Sequence, residues 1–596
     1  MRYGSFGRYA DVDLATGTVS EYPIPAAWQA RFLGGRGIGA RILADVLPEL
    51  VAPLGPDNVL VFATGPFQGT GIAGASRMAV LALSPVTGRV SDSFVGGFFP
   101  HELGRSGYDG LILRGRAPRP VYLLVRDGRV ELADATGLWG ADVLETDRAL
   151  KERHPGVRVA SIGLGGEQGI PYATIMVDVS RAAGRPGFGA VMGSKNLKAI
   201  AVTGGVDKPV FAPERFVQLR KDFATWLLTD PATRKRKALG TAKCVLELDR
   251  LGILPTRNFR EGTFAGAEAI SGERLAATLM VGRDTCTGCP VTCKRVVETS
   301  FAGESVLRAY GGMEYETVAA FGSLCGVDDL PAIALASQNC NRYGLDTITT
   351  GVAIAAAMEA SERGLLDEGL RWGDGVAMNR LVRQIPRREG LGALLAGGMA
   401  ALEAEWGPKF VLHVKGQAVP LHDPRGKKGM GISYATSPRG ATHMEGFDDE
   451  MLVGVEDPSA RFGVAGDGDW RSWQDKPALC VRYENLMSFT NSLVLCAFVS
   501  MSKASGPYDP YDRLGALLAA LTGTAIDAEE MLRIGARNYG LLDDLAVRLG
   551  GPETDGLPPR FWQPIPEGPC AGQRIDEPSL QEAIAAYRAL RASEDR

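Results

Sequence analysis

The chain has 596 residues, of which 45% are hydrophobic, 22% charged and 7% aromatic, and its formal net charge is -4. That composition reads as a globular protein, and its slightly acidic balance supplies no basic field with which to hold nucleic acid. No apolar run reaches the length of a membrane span, and Met1-Arg-Tyr-Gly4 lacks the apolar core of a signal peptide, so a cytoplasmic protein is expected.

The first two hundred residues read as β-rich. Asn58 to Thr64 and Met78 to Leu83 are short apolar runs stopped by Gly65 and by Ser84-Pro85, and Val121 to Leu132 carries an Asp127-Gly128 hairpin turn. Further strands are expected at Val157 to Ile162, Ala173 to Val177 and Leu197 to Val202. Paired glycines at Gly34-Gly35, Gly96-Gly97 and Gly165-Gly166 suggest backbone pressed close against something. The glycine-rich stretch from Arg181 to Lys195 also carries several cations, an arrangement able to offer N–H groups and positive charge to phosphate. Such loops also simply turn corners.

Near Lys208-Pro209 the character changes. Phe216, Leu219, Phe223 and Trp226 recur at helical spacing, and helix-compatible segments dominate from there. Within this part Cys286, Cys289 and Cys293 are spaced C-x2-C-x3-C, with Gly288 and Pro290 letting the backbone fold tightly. Three readings stay open on spacing alone: an iron–sulfur cluster with a fourth ligand from elsewhere, a zinc site, or buried thiols. Nine cysteines without a disulfide framework favour metal chemistry in a reducing compartment.

Further on, Asp328 or Asp329 can cap a helix that has Pro331 in its first turn and Gly344 at its end. Asn341-Arg-Tyr-Gly-Leu-Asp346 at that stop is echoed by Asn491-Ser-Leu-Val-Leu-Cys496, which suggests two related sites facing one ligand. The loop Leu421-His-Asp-Pro-Arg-Gly426 marks a second boundary, and Pro578 starts a last helix toward Arg596. The expected fold is α+β: a β-rich unit 1–208 followed by two mainly helical units, 209–420 and 421–596.

The whole chain resembles the tungsten-containing aldehyde:ferredoxin oxidoreductase family. The resemblance is carried by Gly34-Gly-Arg-Gly-Ile-Gly39, Gly65-Pro-Phe-Gln-Gly-Thr70, Arg181-Ala-Ala-Gly-Arg185, Gly189-Ala-Val-Met-Gly-Ser-Lys-Asn-Leu-Lys-Ala-Ile200, the three cysteines, Glu314-Tyr-Glu316, Gly344-Leu-Asp346-Thr and Asp423-Pro-Arg-Gly426. It implies a β-rich base under two helical domains, with tungsten or molybdenum held by two pyranopterins beside a 4Fe–4S cluster. Cys496 is implied as the fourth cluster ligand, and Arg77 as the cation between cluster and pterin. Arg181 and Ala182 match pterin and phosphate contacts, and the carbonyls of Ala182 and Phe94 match ligands of a bridging magnesium ion. The pterin motifs are Asn341 with Gly344, Leu345 and Asp346, and Asn491 with Leu495. Asparagine stands at both 341 and 491 where the family has aspartate, which adds donors to a place that should accept. Val494 replaces a glycine and adds bulk.

By the same resemblance Glu316 is the general base and acid, and His443 orients the substrate or shares the proton. Without the motif the better readings are an ion-paired structural carboxylate and a satisfied core histidine. Met430 occupies the place of a second histidine, implying a more apolar pocket. Cys325 matches the position at which tungsten subunits of benzoyl-CoA reductase use a thiolate ligand; it also reads as a small buried hydrophobe. The implied activity is oxidation of an aldehyde to a carboxylate, with electrons leaving to a ferredoxin or an iron–sulfur subunit. The alternatives are a reductive member acting on an acyl substrate and a non-catalytic zinc module. The resemblance allows a homodimer.

Overall fold

The computed structural model describes residues 3–455, 458–459, 463–466, 468–500, 508–551 and 554–594. Twelve strands among the described residues build its base: β1 (Arg8–Asp13), β2 (Thr18–Pro23), β3 (Leu60–Ala63), β4 (Arg77–Leu83), β5 (Val90–Gly96), β6 (Gly110–Arg114), β7 (Val121–Arg126), β8 (Arg129–Asp134), β9 (Arg158–Ser161), β10 (Ile175–Val177), β11 (Arg181–Ala183) and β12 (Leu197–Thr203). They form two six-stranded mixed sheets, β2-β1-β6-β3-β4-β5 and β11-β10-β9-β12-β7-β8. Leu60, Val80 and Val95 of the first pack with Leu123, Ile175 and Ile200 of the second in one continuous core.

The strands expected from apolar runs all form. Asp127 (φ 48°) and Gly128 (φ 72°) make the left-handed turn between β7 and β8 that their sequence demands. β5, Val-Ser-Asp-Ser-Phe-Val-Gly, is too polar to carry a strand signal in the sequence. It is buried all the same, since Asp92 finds two arginines inside the protein. β11 is three residues long and carries no periodicity to detect.

Helices dominate from Pro213–Thr229 onward, where Phe216, Phe223 and Leu227 are buried. Helix Leu330–Tyr343 is capped by the Asp329 carboxylate, takes Pro331 in its first turn, and stops at Gly344, whose φ of 68° a glycine adopts freely. Asp346 caps the next helix, Thr347–Glu362, by accepting from the amides of Ile348 and Thr349. The last helix, Glu577–Ala592, begins at Asp576 with Pro578 in its first turn. No helix among the described residues is long and apolar enough to cross a membrane.

Candidate functional site

A chamber of about 320 Å³ lies where the base meets the helices. Its floor is strand: Phe94 of β5, Arg181 and Ala182 of β11, and Arg77 at the start of β4. Its walls are helix ends. Glu316 comes from the first turn of Tyr315–Phe321, Asn341 from the last turn of Leu330–Tyr343, and Leu345 and Asp346 from the link that follows. Asn491, near the end of helix Lys476–Ser492, and Leu495 close the far side, and His443 enters on a loop. Of the expected cofactor contacts, Gly344 alone is not among the lining residues; its carbonyl accepts from Thr174 N–H at 2.9 Å instead.

The two asparagine-bearing helices end alike. Three residues beyond each asparagine, Gly344 and Val494 (φ 51°) adopt the left-handed conformation that stops a helix. A β-branched residue is strained there by about 1–3 kcal/mol. Gln68 holds the strained turn, its Nε2 donating to the carbonyls of Leu493 (3.2 Å) and Val494 (2.9 Å) while its Oε1 accepts from Gly65 N–H at 2.6 Å. Gly35 makes the room: a Cβ there would stand 2.3 Å from Val494 Cγ2 and 2.5 Å from the Asn491 carbonyl oxygen. Val494 therefore packs its added bulk against Gly35 and does not line the chamber.

Asn341 Nδ2 donates to Tyr310 O at 3.0 Å, and Asn491 Nδ2 to Glu445 Oε1 at 2.8 Å. In both, a donor that aspartate would lack is absorbed by the protein. Glu445 belongs to a buried four-charge network in which Arg36 contacts Asp92 (2.5 Å) and Glu445, while Arg439 contacts Asp92 (2.6 Å) and Glu445 (2.9 Å). Two cations and two anions compensate one another out of water, and the pairing pulls the loop carrying His443 down onto β5.

Glu316 Oε2 accepts the Leu421 N–H at 3.0 Å, while Oε1 lies 3.2 Å from His422 Nε2 and 3.6 Å from His443 Nδ1. Neither ring is aligned well enough to satisfy Oε1, which stays buried without a hydrogen-bond partner among the described residues, as does His443 Nδ1. Burial opposes charge on Glu316, but His443, His422 and the Leu421 N–H outweigh it and hold the carboxyl down to about 2. For His443 burial wins over the pull of Glu316 and lowers it to about 4. Near neutral pH the pair is thus an ionised carboxylate beside a neutral imidazole. Glu314, at the N-cap of the same helix, also lines the chamber but is partnered where Glu316 is not: it accepts from Thr241 Oγ1 at 2.6 Å and lies 3.4 Å from Lys294 Nζ.

His422 was missed from sequence, although it directly precedes the Asp423-Pro-Arg-Gly426 motif. Its ring stacks on His443 with centroids 5.4 Å apart, and its Nδ1 is 2.8 Å from Lys427 Nζ. Burial opposes the charge of Lys427, but Asp448 at 3.1 Å and Glu450 keep it an ammonium. An ammonium can only donate, so Nδ1 accepts and the ring proton sits on Nε2, facing Glu316.

Cys286, Cys289 and Cys293 lie on the loop between two antiparallel strands, Met280–Asp284 and Lys294–Val297. Cys496 joins them from far along the chain, with its N–H donating to Gly74 O at 3.0 Å. All four cysteines are free. Burial raises the thiols of Cys286, Cys289 and Cys293, the second to about 12, and the neighbouring thiols raise them further. Backbone N–H groups of Gly97 on Cys286, and of Val291 and Gly74 on Cys289, act the other way. Arg181 Nη2 ties this loop to the base through Asp284 (2.7 Å) and the Thr285 carbonyl (2.5 Å). Arg77 donates to Phe94 O at 3.3 Å, and its charge also acts on Cys286, which sets it between thiols and chamber.

These donors fit the groups the family resemblance implies. Four free thiols with amide N–H groups directed at sulfur suit an iron–sulfur cluster. Among the described residues no three His, Cys, Asp or Glu side chains converge as a single-ion site. In the chamber, Arg185 Nε, Gln417 Oε1 and Arg439 Nε join Glu316 Oε1 and His443 Nδ1 as buried polar atoms without hydrogen-bond partners among the described residues. A ligand carrying both N–H donors, for Glu316 Oε1 and Gln417 Oε1, and anionic acceptors, for the two arginines, would satisfy them.

Two expectations change. Cys325 does not line the chamber. It is fully enclosed in the helical core, with Sγ 3.3 Å from Ala320 O and 3.7 Å from Gly351 O, and burial pushes its thiol far above the ordinary range. Its placement is that of a packing thiol, away from the chamber lining. Lys195, at the end of the glycine-rich stretch, turns away into a cage of the Pro56, Asn58 and Gly115 carbonyls, leaving Arg181 and Arg185 to face the chamber.

Residues 9–204 match the family model described as aldehyde ferredoxin oxidoreductase, N-terminal domain, and residues 218–593 match that of its domains 2 and 3. The tungsten-containing aldehyde ferredoxin oxidoreductase of Pyrococcus furiosus is 35% identical over 604 residues, covering 99% of this chain and 96% of the relative. The WOR-like subunit of an aliphatic sulfonate oxidoreductase from the same organism is 31% identical over 626 residues, covering 98% and 94%. Among solved structures, the active site complex BamBC of benzoyl coenzyme A reductase with 1,5 dienoyl-CoA superposes with a TM-score of 0.82 at 25% identity, covering 99% of this chain and 95% of that one.

Proposed function

The chain belongs to the aldehyde ferredoxin oxidoreductase family, and on that premise we propose that it oxidises an aldehyde to a carboxylate and passes the electrons through a 4Fe–4S cluster to a ferredoxin-like acceptor. Tungsten or molybdenum on two pyranopterin dithiolenes supplies the two-electron redox chemistry when bound. Cys286, Cys289, Cys293 and Cys496 would hold the cluster. Asn341, Leu345 and Asp346 would hold one pterin and Asn491 and Leu495 the other, over Arg77, Arg181 and Ala182, with the Phe94 and Ala182 carbonyls available to magnesium. In this reading the units 1–208, 209–420 and 421–596 each contribute one wall.

The observation that carries the reading is Glu316: ionised near neutral pH, one oxygen unpartnered, flanked by two imidazoles in a chamber beside four free thiols. Aldehyde plus water gives carboxylic acid, two protons and two electrons, so a group must accept a proton as the new C–O bond forms. Glu316 is placed to take it. His422, with its proton on Nε2 facing Oε1 at 3.2 Å, stabilises the charge of the carboxylate, and neutral His443 orients the carbonyl. A reductive reading drew its support from Cys325 as a metal ligand, and that thiol lies in the core.

Elemental analysis of anaerobically purified protein, followed by an aldehyde screen with a viologen acceptor, tests the proposal. Tungsten or molybdenum, iron and aldehyde-dependent dye reduction are expected. Absence of both metals together with no aldehyde activity would overturn it.

A further inference from the structure

We propose that the basic helix Pro231–Leu239, with Arg283 beside it, is the docking surface for a small acidic redox protein that takes electrons from the four-cysteine centre. This rests on the reading that electrons leave through that centre. Electron tunnelling weakens steeply with distance, so a carrier must sit where the cysteines come nearest to solvent. That place is the hairpin loop 284–294, where Gly288 is exposed, and the strand leading into it, where Val281 is 50% exposed.

The helix is bolted to this hairpin. Arg295 Nη1 donates to the carbonyls of Lys237 and Ala238, both at 2.7 Å, and Arg283 Nε donates to Lys237 O at 3.1 Å. Immediately after the helix, a Cβ at Gly240 would stand 3.1 Å from the Cys293 carbonyl oxygen. Arg236, the one buried cation of the run, lies 4.2 Å over the ring of Phe498, two residues past Cys496.

The remaining cations of Arg234-Lys-Arg-Lys237 face water. Lys235 is paired with Glu247, which also pairs Lys243, but Arg234, Lys237 and Arg283 have no carboxylate within ion-pair distance among the described residues. In a chain of net charge -4, these exposed cations make a local positive field beside the four-cysteine centre, able to steer an acidic carrier to it. The surface therefore offers an exposed apolar residue and backbone at the centre and cations at the rim, complementary to an acidic carrier.

The test uses metal-loaded enzyme turning over an aldehyde with two acceptors, an acidic ferredoxin and the dicationic dye benzyl viologen. Arg234→Glu/Lys237→Glu should lower kcat/KM for the ferredoxin about tenfold or more, while the dye rate stays the same or rises, because the two acceptors carry opposite charge. Arg234→Gln/Lys237→Gln should fall between, Arg153→Glu on a distant helix should change neither, and rising salt should suppress the ferredoxin rate of the parent more than that of the double variant. Equal ferredoxin rates in parent and double variant, or the same loss with both acceptors, would overturn the proposal. If no aldehyde reduces the dye, the activity assignment falls separately. Docking is then read by direct binding of the ferredoxin to the same variants, and unchanged affinity would reject it.

Discussion

His422 stands between an ammonium and a carboxylate, with Nδ1 2.8 Å from Lys427 Nζ and Nε2 3.2 Å from Glu316 Oε1. The lysine fixes the tautomer, and the tautomer presents a proton to the proposed base. Held in this way, and with Arg185 also facing the chamber, the carboxylate stays ionised near neutral pH.

Removing the base is the most direct check. Glu316→Gln should lower kcat/KM by about a hundredfold to ten-thousandfold, the usual range for a general base, with iron and tungsten or molybdenum content unchanged. His422→Phe keeps the ring stack but loses the donor, and should cost about tenfold to a hundredfold, mainly in kcat. Glu314→Gln, whose carboxylate serves Thr241 and Lys294, should stay within about tenfold of the parent. Steady-state kinetics alongside metal analysis separates these outcomes.

The pH dependence follows from His443. Its value of about 4 in the folded protein lies below the ordinary 6.5, so the unfolded chain binds a proton that the folded one rejects. Stability from this group is complete above about 6.5 and is lost as pH falls through about 4. Glu316 extends the loss, from its ordinary 4.5 toward about 2. Urea unfolding midpoints should fall between pH 6.5 and 4, and His443→Asn should flatten that slope. A slope unchanged by the substitution would assign it to another group.

The two classes of cysteine should respond differently. Cys496→Ala should lose or degrade the 4Fe–4S signal in electron paramagnetic resonance, because its backbone is pinned at Gly74 beside the other three. Cys325→Ser should leave the metal's X-ray absorption spectrum and the activity near parent levels, since a hydroxyl there can donate to the Ala320 carbonyl that the thiol already faces.

Gly35→Ala tests the seat of the second asparagine motif. The added methyl meets Val494 Cγ2 at 2.3 Å and the Asn491 carbonyl at 2.5 Å, at a glycine whose φ is 43°. A loss of about 1–3 kcal/mol in unfolding free energy is expected from overpacking, together with lower pterin content as Asn491 is displaced. Pterin release assays and thermal melts report the two effects independently.

Features governed by local backbone chemistry were legible in the chain itself. The Asp127-Gly128 turn, the helix from Asp329 to Gly344, and the C-x2-C-x3-C spacing each depend on residues within a turn or two of one another. Motif resemblance added Glu316, His443 and Cys496, and the structure places the first two in one chamber and the third beside the cysteine hairpin. The partners of these residues depended on tertiary structure. Asp92 makes a polar segment into a buried strand because Arg36 and Arg439 arrive from 56 and 347 residues away. Lys195 and Cys325 have side chains capable of phosphate or metal chemistry, yet packing gives one a cage of carbonyls and the other a place in the core. His422 becomes a neighbour of Glu316 across 106 residues of chain. Side-chain identity set what each group could do, and desolvation and distance, which only the fold creates, decided what it does.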